Sequence, residues 1–270
     1  MSEEGNLALF CDFENIALGV RDARYAKFDI QLVLERLLVK GSIVTKKAYC
    51  DWDRYKEFKA VMHEAAFELI EIPHVRMSGK NSADIRMVVD ALDLCYTKEH
   101  IDTFVIISGD SDFSPLVSKL RENAKTVIGV GVKNSTSDLL IANCDEFIFY
   151  DDLVAGSQPA AKKARTRSKS KKASSKKTAK KVSSKPDRTQ EAVDLVVDIT
   201  EALYSERGDR SKIWGSMIKQ TIKRRKPQFS ETYYGFGSFN ELLEEAKSRG
   251  LIDLEMDERS GGYVVRSVRV

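Results

Sequence analysis

The sequence predicts an α/β chain: a parallel sheet flanked by helices, followed by a small α+β domain of winged-helix pattern. Three observations predict it. Short apolar runs alternate with amphipathic stretches over residues 1–154. The charge balance then changes abruptly in a Lys-rich connector, residues 155–189. Residues 190–270 read as three helices and a hairpin.

The strand-like runs are 7–11, 43–50, 68–72, 103–108, 126–132 and 146–150. Helical patterns fall between them. Residues 29–40 place Ile30, Val33, Leu34, Leu37 and Leu38 at helical spacing, and residues 53–67 do so with Tyr55, Phe58, Val61 and Met62. Residues 83–97 repeat it with Ile85, Val88, Val89, Leu92 and Cys95, and shorter patterns cover 113–122 and 136–143. Strand and helix in alternation imply a parallel sheet covered on both faces. The run Thr103–Ile107 is apolar almost throughout, as a strand buried on both faces should be.

The connector holds 13 Lys and Arg against one acid, no aromatic residue and a single Val. Such a composition buries no core, so it predicts a disordered, self-repelling linker. It suits either a solvated spacer or an arm whose cations displace counterions from nucleic acid. No apolar anchor accompanies the charge, which argues against a membrane partner. The whole-chain charge of +3 conceals this partition. Residues 1–154 carry 18 basic and 26 acidic side chains, a net −8, and residues 190–270 carry 13 and 14.

Other features narrow the class. No apolar run approaches the ~18 residues of a membrane span. The acidic, polar start does not read as a secretory signal, so a cytoplasmic protein is expected. Cys11, Cys50, Cys95 and Cys144 lie far apart in apolar runs, as buried thiols in a reducing compartment would. His63, His74 and His100 form no metal-ligand spacing, which disfavours zinc hydrolysis.

The unusual residues lie where strands should end, which is where open α/β sheets bind ligands. The first strand runs into Asp12-Phe13-Glu14-Asn15, and the fourth into Ser108-Gly109-Asp110-Ser111-Asp112-Phe113. Asp84 opens a helix after the polar loop that contains Lys80. Each acid also has a structural reading: Asp112 as a helix N-cap, Asp84 as a helix-dipole partner, Asp12 as a turn residue. Together, carboxylates at one sheet edge repel one another and raise their pKa values unless a cation joins them. An oxygen-only set favours Mg²⁺ or Mn²⁺.

The order D-x-x-N at Asp12 and Asn15, K-x-x-x-D at Lys80 and Asp84, then S-G-D-S-D-F at 108–113, resembles the NYN family of PIN-like nucleases. The resemblance covers roughly residues 6–152. It implies a PIN-like fold and Mg²⁺- or Mn²⁺-dependent cleavage of RNA, a metal-dependent endoribonuclease. On that reading Asp12, Asp84, Asp110 and Asp112 hold the metal, and Asn15 orients substrate or water. Ser108 bonds a phosphate oxygen or a carboxylate, and Lys80 a phosphate or an acid. Asp90 fits a further acidic position of the family. It stands about 120° around the helix from Asp84, which suits support of the site better than direct ligation. The alternative is a non-catalytic RNA-binding or scaffold protein.

In residues 190–270, helices are expected at about 190–206, 211–224 and from Ser238, where Glu241 completes a capping box. A hairpin follows around the turn at 257–262. Three helices and a hairpin make a winged-helix pattern, used for nucleic acid or for protein contacts. The stretch 229–243, with Tyr233-Tyr234-Gly235-Phe236-Gly237-Ser238-Phe239, resembles the LOTUS (OST-HTH) family. That resemblance implies RNA binding or docking of a protein partner. The implied nucleic-acid contacts are Lys219, Lys223, Arg224, Arg225, Lys226, Tyr233 and Tyr234. The acidic first domain would then leave RNA capture to the basic arm and the winged helix.

Overall fold

A computed structural model of the chain describes residues 5–72, 82–157, 188–207, 212–257 and 261–268. Lys80 and nearly all of the connector fall outside these residues. The chain divides into two compact units, Met1–Ala155 with Lys219–Ser230, and Gly156–Ile218 with Glu231–Val270. No helix among the described residues is long and apolar enough to cross a membrane.

The first unit runs β1 (Gly5–Asp12), α1 (Phe13–Asp22), α2 (Ile30–Leu38), β2 (Gly41–Cys50), α3 (Lys56–Glu64), β3 (Glu68–Glu71), α4 (Ser82–Thr97) and β4 (Thr103–Ile107). It continues with α5 (Ser114–Glu122), β5 (Thr126–Gly131), α6 (Asp138–Asn143), β6 (Glu146–Phe149) and α7 (Tyr150–Ser157). The six strands are parallel, in the order β3-β2-β1-β4-β5-β6. The chain builds outward from β1 to β3, then returns to β4 on the other side of β1. The point of reversal therefore lies between β1 and β4.

Alternation along β1 feeds two cores. Leu7, Leu9 and Cys11 join Phe13, Val33, Leu37 and Ile148 on one face. Ala8 and Phe10 join Met87, Ala91, Phe104 and Leu116 on the other. This is the two-faced burial that the continuous apolar strands imply.

Several local expectations change. The sequence reading places no helix after Asp12, yet α1 begins at the next residue. Asp12 is its N-cap, accepting from Asn15 N at 3.3 Å, and Phe13, Ile16 and Val20 form its buried stripe. Tyr150 likewise opens a helix instead of ending a strand. Asp112 is not the cap of the helix before Pro115. Asp110 caps a 3-10 turn at Ser111–Phe113 by accepting from Asp112 N, and α5 starts one residue later without a side-chain cap. The apolar face of α4 also differs from the one expected. Met87, Ala91 and Cys95 are buried with Asp90, whereas Ile85 and Val89 are exposed.

The second region has α8 (Arg188–Arg207), β7 (Ile213–Trp214), α9 (Gly215–Arg225), α10 (Phe239–Ser248), β8 (Ile252–Met256) and β9 (Tyr263–Val268). Its antiparallel sheet runs β7-β9-β8, so element order and sheet together are those of a winged helix. The expected helix at 211–224 begins later, because Ile213 and Trp214 pair with Val265 and Val264 as a short strand. The capping box forms: Ser238 Oγ accepts from Glu241 N at 3.2 Å. Glu241 returns its carboxylate to Gly237 N at 2.7 Å, one residue before the cap. Gly250, at φ +74°, ends α10 in the left-handed conformation that glycine adopts without cost.

Phe13 anchors the start of α1. Its ring meets those of Trp52 and Phe58 at 5.0 Å and Tyr55 at 5.6 Å. Phe13→Ala is expected to cost about 3–5 kcal/mol, read as a fall in Tm of roughly 6–20 °C. Phe13→Leu should retain most of the stability. A Tm for Phe13→Ala within 2 °C or so of the parent, by calorimetry, would refute this role.

Candidate active site

The site grows from the register of two strands. Parallel pairing sets Leu7 beside Thr103 and Cys11 beside Ile107. The next residues out, Asp12 and Ser108, therefore come abreast although 96 positions separate them. Ser108 is fully buried and donates its hydroxyl to Asp12 Oδ2 at 3.0 Å. Ser108 Oγ in turn accepts from Asp110 N at 3.2 Å. Of its two expected roles, Ser108 thus takes the carboxylate.

A second tie crosses the same seam. Asn15, in the first turn of α1, accepts from Gly109 N through Oδ1 at 2.8 Å. Gly109 in turn accepts from Ser137 N at 2.9 Å. A Cβ at position 109 would stand 2.4 Å from the Ser135 carbonyl oxygen, so only glycine lets the loop after β5 close over this turn.

These ties hold Asp12 where its charge is costly. The carboxyl is almost fully buried, and its pKa rises to about 7. Loss of hydration is the main cause, with the charges of Asp84 and Asp110 adding to it, against the bonds from Asn15 N and Ser108. Asp84, in the first turn of α4, rises to about 6 through its own burial and then the fields of Asp110, Asp112 and Glu14. Asp12, Asp84, Asp110 and Asp112 therefore share one electrostatic site. Glu14 belongs to the same field and was not singled out by sequence. Its signal was its place inside the D-F-E-N turn; Arg54 pairs with it at 3.1 Å.

Not every candidate converges. Asp90 turns to the buried side of α4. It accepts from Tyr49 Oη at 2.9 Å and Arg86 Nε at 3.0 Å, with Lys47 Nζ at 3.5 Å. It ties α4 to β2, consistent with the 120° offset from Asp84. Lys80 lies outside the described residues. On α9 and just beyond it, Arg224 and Arg225 are exposed, whereas Lys219, Lys223 and Lys226 are half-buried. Tyr233 is exposed, with the Arg188 guanidinium 4.7 Å above its ring. Tyr234 is buried, its hydroxyl 3.4 Å from Glu191.

The donor set is oxygen-only, and burial together with neighbouring carboxylates raises the pKa of Asp12 and Asp84, which is the chemistry a hard divalent cation relieves. Among the described residues, however, no three His, Cys, Asp or Glu side chains stand close enough to hold a metal as placed. Two physical features keep the acids apart: mutual repulsion, and the capping bonds that engage Asp12 and Asp110.

A pH signature follows. An acid whose folded pKa lies above its unfolded value binds more protons in the folded state, so its contribution to stability declines as pH rises between the two values. That window runs from about 4 to about 7 for Asp12 and from about 4 to about 6 for Asp84. In chelator, Asp12→Asn is expected to gain roughly 1–2 kcal/mol, a few °C in Tm, at pH 8. The gain should shrink towards pH 5. A variant less stable than its parent at pH 8 would contradict the assignment.

Comparisons with known proteins bear on the first of the two regions. The NYN domain profile matches residues 6–151. The meiosis regulator and mRNA stability factor 1 of Xenopus tropicalis is 27% identical over 153 residues, which are 57% of this chain and 9% of that protein. An uncharacterised protein of Methanocaldococcus jannaschii is 28% identical over 138 residues, 51% of this chain and 52% of the other. The chain thus spans about half, or far less, of the curated relatives it matches. A crystal structure of a protein of unknown function from Vibrio parahaemolyticus aligns with a TM-score of 0.50 and 26% identity, covering 57% of this chain and 97% of that one. The profile spans more than half of the sequence, including both strand ends that build the acidic site, and the chain belongs to the NYN domain family.

Proposed function

We propose that the chain is a divalent-cation-dependent ribonuclease that cuts RNA phosphodiesters, as an endonuclease, at the cluster of Asp12, Asp84, Asp110 and Asp112. One observation carries the reading: Asp12, pushed up to about 7, is pinned by Ser108 at the reversal point of a parallel sheet. Asp12 caps α1, and a carboxyl displaced this far at a strand end is also the kind of group that functional sites use.

Asp12, Asp84 and Asp110 would hold the ion, Mg²⁺ or Mn²⁺, with Asp112 at the exposed rim. When bound, the ion supplies charge that offsets the carboxylates and the developing charge on phosphate. A cation beside Asp12 would favour its ionised form, so Asp12 would act as a ligand of the ion. Asn15 spends its carbonyl on Gly109, which leaves its Nδ2 amide as the donor for a phosphate oxygen. Ser108 fixes the orientation of Asp12. Asp90, bonded to Tyr49 and Lys47 of β2, holds the helix that presents Asp84.

RNA as the substrate is supported by family membership and by a relative whose name is that of an mRNA stability factor. Capture is assigned to the Lys-rich connector and to the winged helix, here read as a LOTUS domain with Arg224, Arg225 and Tyr233 as its exposed contacts. The same domain is also suited to a protein partner. A second reading, a non-catalytic RNA-binding protein, is favoured by the lack of three converged ligands among the described residues.

Single-stranded RNA incubated with the full chain and Mn²⁺ or Mg²⁺ separates the readings. Cleavage that stops in chelator and drops at least about 100-fold in Asp12→Asn and Asp110→Asn is expected. Equal cutting by parent and variants, or none by either, rejects the nuclease. RNA affinity should also fall steeply with added salt in parent and variants alike, as phosphate contacts require. Affinity indifferent to salt would remove the basic residues from the account.

A further inference from the structure

The helix α4 carries an apolar stripe that lies mostly outside both cores, with only Leu92 packing against the second. Ile85, Val89 and Tyr96 are 62%, 56% and 61% exposed, and Leu92 between them is half-buried. Their spacing of four, three and four residues is that of a coiled-coil seam. The seam is about 16 Å long at 1.5 Å per residue. It is distinct from the row Met87, Ala91 and Cys95, which packs on the sheet. Apart from the packing of Leu92 and the Tyr96 hydroxyl, which accepts from Asn123 Nδ2 at 3.4 Å, the row has no partner among the described residues, and exposed apolar side chains so aligned on a helix held by its other side suit an interaction surface.

We propose that its occupant is a second copy of this chain, with the two α4 helices antiparallel about a two-fold axis between Val89 and Leu92. Charge identifies the partner. In the antiparallel register, Val89 of one copy lies against Leu92 of the other and Ile85 against Tyr96. Arg86 and Asp93 each follow a seam residue on the same flank, and this register sets Arg86 of each copy opposite Asp93 of the other. The surface is therefore self-complementary, as a two-fold interface requires. A parallel pair would instead set Asp93 against the apolar Val88. Arg86 is poised for the role: Nε is fixed on Asp90 at 3.0 Å, while the side chain remains 58% exposed.

The seam buries less than the ~800 Å² per partner of a standard interface, so the dimer is weak, with a Kd on the order of 10–100 μM. The two Asp84 residues would stand about 20 Å apart along the paired helices, at opposite ends of the seam. Both acidic sites therefore stay open.

Sedimentation equilibrium of the full chain without RNA, from about 5 to 500 μM, tests this. The parent should show a reversible monomer–dimer equilibrium. Asp93→Arg turns both attractive pairs into repulsions, and Val89→Lys places charge in the seam. Each should weaken the dimer at least tenfold, with unchanged circular dichroism because both positions face solvent. Arg86→Glu combined with Asp93→Arg should regain most of the loss. A parent that stays monomeric at 500 μM, or an Asp93→Arg variant that dimerises like the parent, overturns the proposal. So does a folded double variant as weak as Asp93→Arg alone.

Discussion

The organising constraint is the tie between the ends of β1 and β4. Two hydrogen bonds cross it, from Ser108 to Asp12 and from Gly109 to Asn15. Parallel register brings these residues abreast, and the reversal of strand order at this point leaves a gap in the covering layer. A carboxylate there is shielded from water without being packed under a helix. The bonds hold its geometry and do not restore its lost hydration, since burial still outweighs them in the pKa of Asp12. The site is an arrangement of like charges whose cost the surrounding core must offset.

That core is arranged to resist the strain locally. Phe13 follows Asp12 directly, and its ring sits among Trp52, Tyr55 and Phe58. The aromatic contacts fix the backbone of α1, hence the direction of the Asp12 and Asn15 side chains. From the other side, the loop after β5 closes on Gly109, which has no side chain to fend it off. Four separate stretches of sequence thus constrain a few atoms, as a site that must hold its geometry under repulsion requires.

Much of this was legible from residues alone, and the parts that were not have definite causes. Strands buried on both faces announce themselves as apolar runs, as β1 and β4 do, whereas the partly buried β2 and β3 were legible from their alternation with helical patterns. Asp12 and Asp110 drew notice because they follow such runs, and Asp84 because it opens a helix. The helix α1 was missed because Asp12 acts at once as cap and site residue, and D-F-E-N reads equally as a turn. Asp110 displaced Asp112 as the cap because a 3-10 turn is inserted before Pro115, a choice settled by backbone geometry. Gly109 and Ser108 owe their roles to partners 94 and 96 residues away. Glu14 joined the field only once Asp84 was brought near it.

The helix α4 shows why helical periodicity alone underdetermines a face. Its apolar residues form two stripes, and pattern reasoning merged them into one. The structure chooses Met87, Ala91 and Cys95 for the sheet because these small or slender side chains let the helix approach β1 closely. The same rotation carries Asp84 to the end of the sheet and seats Asp90 against Tyr49. The bulkier stripe of Ile85, Val89, Leu92 and Tyr96 must then face outward. Turning the helix to bury that stripe would remove Asp84 from Asp110 and leave Asp90 without its hydroxyl partner. The exposed seam is therefore the consequence of meeting the site's geometry first, and a weak partner on it covers apolar surface that the fold itself cannot.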